Sequence, residues 1–119
     1  MIVDTSVWID HFREPNPDLE WLLKEGRVAT HPFVIGELAC GSLHRRDDVI
    51  RLIAALPTAV VATDAEALAL IERYRLHRSG LGWTDVHLLA SARLTRQSLW
   101  SADRRLRQAA VRLGLADLD

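Results

Sequence analysis

Ile2-Val3-Asp4-Thr5-Ser6-Val7-Trp8-Ile9 carries two different periods within one short stretch. Ile2 and Val3 form a β-branched run, which stops at three consecutive residues whose side chains favour helix caps. Val7, Trp8, Ile9 and Phe12 then continue at helical spacing, so the stretch reads as strand, turn and helix. The same grammar recurs downstream. Glu14-Pro15-Asn16-Pro17 breaks the first helix, and residues 18–25 resume one with Leu19, Leu22 and Leu23 on one side and Gly26 as the stop. Residues 27–30 predict a second strand, and Pro32 suits the start of a helix that runs on through residues 33–43. Val49, Ile50, Ile53 and Leu56 place another helix over residues 47–56, ended by Pro57.

Residues 58–62 (TAVVA) predict a third strand, followed by a long helix capped at Thr63-Asp64 and carrying Leu68, Ile71 and Tyr74. Residues 79–82 make a glycine turn, residues 83–94 a helix, residues 98–100 a short strand and residues 103–113 a final helix. A last strand is expected at residues 116–118. Short apolar strands alternating with helices predict an α/β sandwich on a largely parallel sheet, as one domain over residues 1–119.

Composition narrows the function classes. Hydrophobic residues are 49% and charged residues 26%, ordinary for a globular chain. The formal net charge of -1 supplies no global field for nucleic acid, so any such partner must be drawn by local patches or by metal. Lys24 is the sole lysine against many arginines, a bias that a GC-rich genome produces and that also suits phosphate contacts. Cys40 is the sole cysteine; no internal disulfide or cysteine zinc cluster can form, and Cys40 is expected as a small buried hydrophobe. The first residues lack a basic segment followed by an apolar one, and no apolar run is long enough to cross a bilayer, so a cytoplasmic protein with no membrane association is expected.

Asp4, Glu37, Asp85 and Asp103 are the candidate catalytic residues. Taken singly, Asp4, Asp85 and Asp103 each have a structural explanation at a helix start. Glu37 lies in the apolar run Val34-Ile35-Gly36-Glu37-Leu38-Ala39-Cys40, where capping does not explain it. Together they fall where a parallel sheet presents its carboxyl ends, the usual ligand crevice of such folds. Two unit charges about 4 Å apart repel by roughly 4 kcal/mol at an effective dielectric near 20, so protonation or a divalent cation must relieve the cluster. Oxygen-only donors favour a hard ion: Mg²⁺, with Mn²⁺ able to substitute, and Asp4, Asp85 and Asp103 as metal ligands. Thr5, Ser6 and Ser101 offer hydroxyls to orient ligands or water, or to cap. Such a site suits phosphodiester hydrolysis.

The ordered motifs resemble the PIN-domain ribonucleases, and most closely the VapC-type toxins of bacterial toxin–antitoxin pairs. Ile2-Val3-Asp4-Thr5-Ser6-Val7 is similar to that family's first motif, Glu37-Leu38 with Gly41 to its second, Trp83-Thr84-Asp85-Val86 to its third, and Ser101-Ala102-Asp103-Arg104-Arg105-Leu106 to its fourth. Leu106 stands where the family often has an aromatic residue, and Ser101 where threonine is common. The resemblance implies a three-layer α/β/α fold, a homodimer, Mg²⁺-dependent cleavage of RNA, and an antitoxin protein that blocks the site.

The remaining residues refine this expectation. The five histidines show no metal-binding spacing, and His87 should face away from Asp85. Trp8, Trp21, Trp83 and Trp100 are expected in the core or an interface, with stacking on RNA bases the other use; Trp8 and Phe12 are the expected hydrophobic contact surface. Arg45-Arg46 and Arg104-Arg105 read as solvated surface, with Arg104 the candidate RNA-phosphate contact. A receiver domain needs a lysine late in the chain, where none follows Lys24; a haloacid-dehalogenase-type phosphatase needs a second aspartate where Ser6 stands, and a lysine is again missing; and no glycine-rich phosphate loop follows the first strand. The alternatives that stand are a housekeeping RNA-processing or DNA-cleaving PIN nuclease, and a non-catalytic partner in antitoxin-mediated autoregulation.

Overall fold

A computed structural model describes residues 1–117 of the chain. Strand β1 (Ile2–Val3) pairs in parallel with β2 (Leu99–Trp100), Ile2 opposite Leu99 and Val3 opposite Trp100. On its other edge Ile2 bridges Ala29, and Thr30 bridges Thr58, again in parallel. The order across the sheet is therefore Thr58, Ala29 with Thr30, β1, β2. This is an α/β fold on a small parallel sheet, and the sheet is shorter than its sequence suggests. The predicted strand over residues 58–62 keeps only the Thr58 bridge and an Ala59 N–H bond to the Thr30 carbonyl. Beyond it, the Val60 N–H turns to Thr95 Oγ1 and the Ala62 N–H to Ser91 Oγ. Side chains of a helix thus replace a neighbouring strand, and Val60 and Val61 are left exposed.

Seven helices are formed among the described residues: α1 (Thr5–Arg13), α2 (Pro17–Lys24), α3 (Pro32–Cys40), α4 (Arg46–Ala54), α5 (Asp64–Tyr74), α6 (Trp83–Thr95) and α7 (Arg104–Arg112). Local chemistry sets their ends. Asn16 Oδ1 accepts from the Asp18 and Leu19 N–H groups with Pro17 as the first helical residue, and Thr63 and Glu66 form a reciprocal capping box. Gly26 (φ 67°) ends α2 in the left-handed conformation, where the Arg27 N–H reaches back to the Leu22 carbonyl.

α6 is the central helix. Seven consecutive residues, Val86 to Ala92, are buried, as expected where a helix is covered on every side. It packs on α5 and on β2, while α7 covers β2, and α1 and α4 pack on α3. Ile2, Leu88, Leu89, Leu99 and Leu106 are among the fully buried side chains of the core they enclose.

Three expectations need correction. Cys40 is exposed, because it ends α3 on the outer side. Trp8 is buried rather than part of a surface; it stacks beneath Phe12 (centroids 6.0 Å apart), which remains exposed. Trp21 and Trp83 lie outside the core and are exposed, as the interface use requires, Trp21 under the Arg27 guanidinium and Trp83 edge-on to His87. Of the strand expected at residues 116–118, Ala116 and Asp117 are not in a strand and Leu118 lies outside the described residues. None of the helices described is long and apolar enough to cross a membrane.

Candidate active site

The sheet's carboxyl edge brings the first and last motifs together. Asp4 directly follows β1, its N–H bonded to the Trp100 carbonyl, while its own carbonyl accepts from Val7 and Trp8 to start α1. Its side chain makes no capping bond to that helix. The carboxylate is buried and receives two hydroxyls on one oxygen: Ser6 Oγ at 2.7 Å and Ser101 Oγ at 2.9 Å, both to Oδ2. The same hydroxyls reach across the fold, Ser6 Oγ accepting the Ala102 N–H and Ser101 Oγ the Asp103 N–H, each at 3.0 Å. Ser6 and Ser101 thus tie the segments after β1 and β2 into one bonded unit around Asp4.

The other acids arrive from three helices. Asp103 caps α7, its Oδ1 accepting the Leu106 N–H at 3.0 Å. Asp85 lies in the first turn of α6 and its Oδ2 reaches back to the Gly82 N–H at 3.0 Å. Glu37 projects from α3 and its Oε1 accepts from Thr5 Oγ1 at 2.9 Å. Glu37 therefore lies on the open side of an otherwise apolar helix, which is why an apolar run tolerates it.

Capping thus explains part of Asp103 and Asp85 and nothing of the Asp4 carboxylate. A regularity runs through all four: one oxygen of each is held by the protein, and no hydrogen bond among the described residues uses Asp4 Oδ1, Glu37 Oε2, Asp85 Oδ1 or Asp103 Oδ2.

These carboxylates feel one another. Burial, and then the charges of Asp4 and Asp103, raise the Asp85 pKa against the lowering effect of the Gly82 N–H. Glu37 is raised chiefly by desolvation and further by Asp4 and Asp85, with the Thr5 hydroxyl opposing. Among the described residues no arginine or lysine forms an ion pair with any of the four. No three acidic or histidine side chains converge tightly enough there to enclose an ion by themselves. The donor set nevertheless fits a hard divalent cation, which keeps several waters and takes only one or two protein carboxylates. Carboxylates without an arginine or lysine partner among the described residues, each with one oxygen unused there, are its natural ligands.

Arg104 is the exposed first residue of α7, beside Asp103 and without an ion pair among the described residues. The histidines lie elsewhere. His87 is buried between Phe33 and Trp83 and bonds Asp64 at 3.0 Å, turned to the side of α6 opposite Asp85. His31 is buried against Ser91. Two contacts escaped sequence reasoning. Asp64 shares the capping position with Thr63, and only its place one residue inside α5 signals that its carboxylate is free for His87. Arg105 lies across Gly80, a contact announced in the sequence by nothing but the glycine.

Comparison with known proteins places the whole chain. The PIN domain family model matches residues 1–112. The chain is 44% identical over 117 residues to Ribonuclease VapC32 of two Mycobacterium tuberculosis strains, CDC 1551 / Oshkosh and H37Rv, covering 98% of this chain and 94% of each relative. By that match over residues 1–112 and that identity along nearly the whole length, this chain belongs to the PIN-domain family, beside the VapC ribonucleases.

Proposed function

We propose that the chain is a Mg²⁺-dependent endoribonuclease, the toxin of a toxin–antitoxin pair, built as a single three-layer α/β/α domain over residues 1–119 and acting in the cytoplasm. The observation that carries the reading is that Asp4, Glu37, Asp85 and Asp103 each keep one oxygen that no hydrogen bond among the described residues uses, with no arginine or lysine ion pair to any of them there. Asp4, Asp85 and Asp103 would hold the ion, with Mn²⁺ able to replace Mg²⁺. When bound, such an ion neutralises phosphate charge and lowers the pKa of a water.

The chain's own residues do the rest. Ser6 and Ser101 fix the Asp4 rotamer, and Thr5 holds Glu37 toward the cleft. Glu37, which is not among the ligands of the ion and whose pKa is raised chiefly by desolvation, is the group suited to receive the proton of an attacking water. Water adds to phosphorus in line, the P–O3′ bond breaks, and the 3′ oxygen leaves with a proton, giving 5′-phosphate and 3′-hydroxyl ends. Arg104 is placed to contact a phosphate beside the scissile one.

An apolar groove of about 290 Å³ lined by Trp8, Phe12, Leu23, Leu52 and Ile53 supports an antitoxin contact on α1 and α4. Exposed Leu68 on α5 and Leu94 on α6 support a homodimer surface on the other side. Expression of the chain should arrest growth, and purified protein should cleave RNA in Mg²⁺ or Mn²⁺ and not in EDTA. Asp4→Ala and Asp85→Ala should abolish both effects. Growth arrest by the alanine variants, or 2′,3′-cyclic phosphate ends, would overturn the mechanism. A small upstream reading frame for a DNA-binding protein that neutralises the arrest would identify the antitoxin.

A further inference from the structure

Asp85 and Asp103 sit on different helices whose first turns must keep their distance. Asp85 is fixed by the Gly82 N–H, at the end of the glycine turn that enters α6. Asp103 is fixed as the cap of α7. The two starts meet at one place away from the acids. Gly80 adopts φ +80°, and a Cβ added there would stand 2.7 Å from Arg105 Cδ and 2.9 Å from both Nε and Nη1. The space beside the Gly80 backbone is therefore filled by the guanidinium end of Arg105, two residues after Asp103. Arg105 is otherwise exposed and forms no ion pair among the described residues. Glycine takes the positive φ without strain, and a side chain at this position would have to displace the arginine from where it lies.

We propose that Arg105 is a positioning residue, a strap that holds the glycine turn of α6 against the start of α7 and so sets the separation of Asp85 from Asp103. The proposal rests on the metal-site reading above. Its contact lies beyond the two acids, so it acts through their backbone supports and not through the ion. Electrostatics alone predicts the opposite sign: a cation beside a metal site repels the ion, and removing it would tighten binding. A strap predicts weaker binding, because carboxylates that must be reordered lose affinity as displaced outer-shell partners do.

The test is Mn²⁺ binding to the full chain without RNA, read as free Mn²⁺ by electron paramagnetic resonance, with thermal melting as the control for folding. Arg105→Ala is expected to weaken Mn²⁺ binding by about tenfold while leaving the melting temperature in place, since the side chain is exposed. Arg105→Lys, which keeps charge and stem, should recover part of the loss. Gly80→Ala should weaken binding in the same direction, and adding Arg105→Ala to it should produce little further loss. Equal or tighter Mn²⁺ binding by Arg105→Ala overturns the strap while leaving the metal site standing. Failure of the unaltered chain to bind Mn²⁺ overturns the metal site, and the strap with it.

Discussion

Lowering the pH from 7 to 5 should cost the fold about 2 kcal/mol through His31 alone. The ring is fully buried at the start of α3. Its Nδ1 accepts the Phe33 N–H at 3.0 Å, which assigns the proton to Nε2, where it is shared with Ser91 Oγ at 3.0 Å. A second proton would have to displace the Phe33 bond. Desolvation, with His87 nearby adding repulsion, lowers the pKa from 6.5 to about 4. The Asp64 carboxylate that faces this histidine pair is bonded to His87 and not to His31.

The sign follows from which state binds the proton. Above pH 6.5 His31 is neutral whether folded or unfolded and contributes no pH dependence. Below 6.5 the unfolded chain takes up a proton that the folded chain refuses until about pH 4. Stability falls through that window by about 1.4 kcal/mol per pH unit, to a limit of roughly 3.4 kcal/mol. Urea unfolding of the chain and of His31→Asn at both pH values isolates the effect, since asparagine can still accept the Phe33 N–H but does not titrate. The variant should be less stable at pH 7 yet lose about 2 kcal/mol less than the parent on going to pH 5. Equal losses in the two proteins would refute the assignment. The contact matters to the site because α3 carries Glu37 and α6 carries both Ser91 and Asp85.

Ser101→Ala removes a hydroxyl that donates to Asp4 and accepts from the Asp103 N–H; Mn²⁺ affinity, measured by titration calorimetry, should fall by about 10- to 100-fold. Leu106→Ala empties a fully buried position under α7, and chemical denaturation should show a loss of about 2–5 kcal/mol.

The helices were legible in the sequence because their apolar period is sustained, and in several of them local caps agree with it. The capping box at Thr63 and Glu66, Asn16 before Pro17, and Gly26 after α2 are all signals that act within a few residues. The strands were legible as places and not as lengths. Residues 58–62 look like a strand by β-branched content, yet the Val60 and Ala62 N–H groups go to Thr95 and Ser91, 35 and 29 positions away. No local pattern encodes that choice. The acids were legible as an ordered set, whereas Cys40 was misread because hydrophobic neighbours do not say which side of a nine-residue helix faces out. Gly80 and Arg105 are distant in sequence, so their contact depends on how α6 and α7 meet.

Helix capping and cation binding look like rival explanations for an acid at a helix start, but the geometry makes them parts of one design. A carboxylate has two oxygens and room for about four acceptor contacts. At Asp103 the Leu106 N–H takes Oδ1, and at Asp85 the Gly82 N–H takes Oδ2. Each bond fixes the side-chain torsion, which leaves the second oxygen pointing in a defined direction without loss of its charge. Asp4 reaches the same state through two serine hydroxyls in place of backbone donors, so it is also tied to the segment carrying Asp103. Mutating a cap in this protein should therefore disturb the cluster as well as the helix, and the two effects can be separated. Ser101 lies outside any helix, so its loss should act on ion affinity with no helix end to fray. Leu106 holds no site oxygen by its side chain, so its truncation should act first on stability. If both substitutions lowered stability and left Mn²⁺ affinity unchanged, Asp4 and its serine partners would be a structural tie between the two strand ends and not part of an ion site.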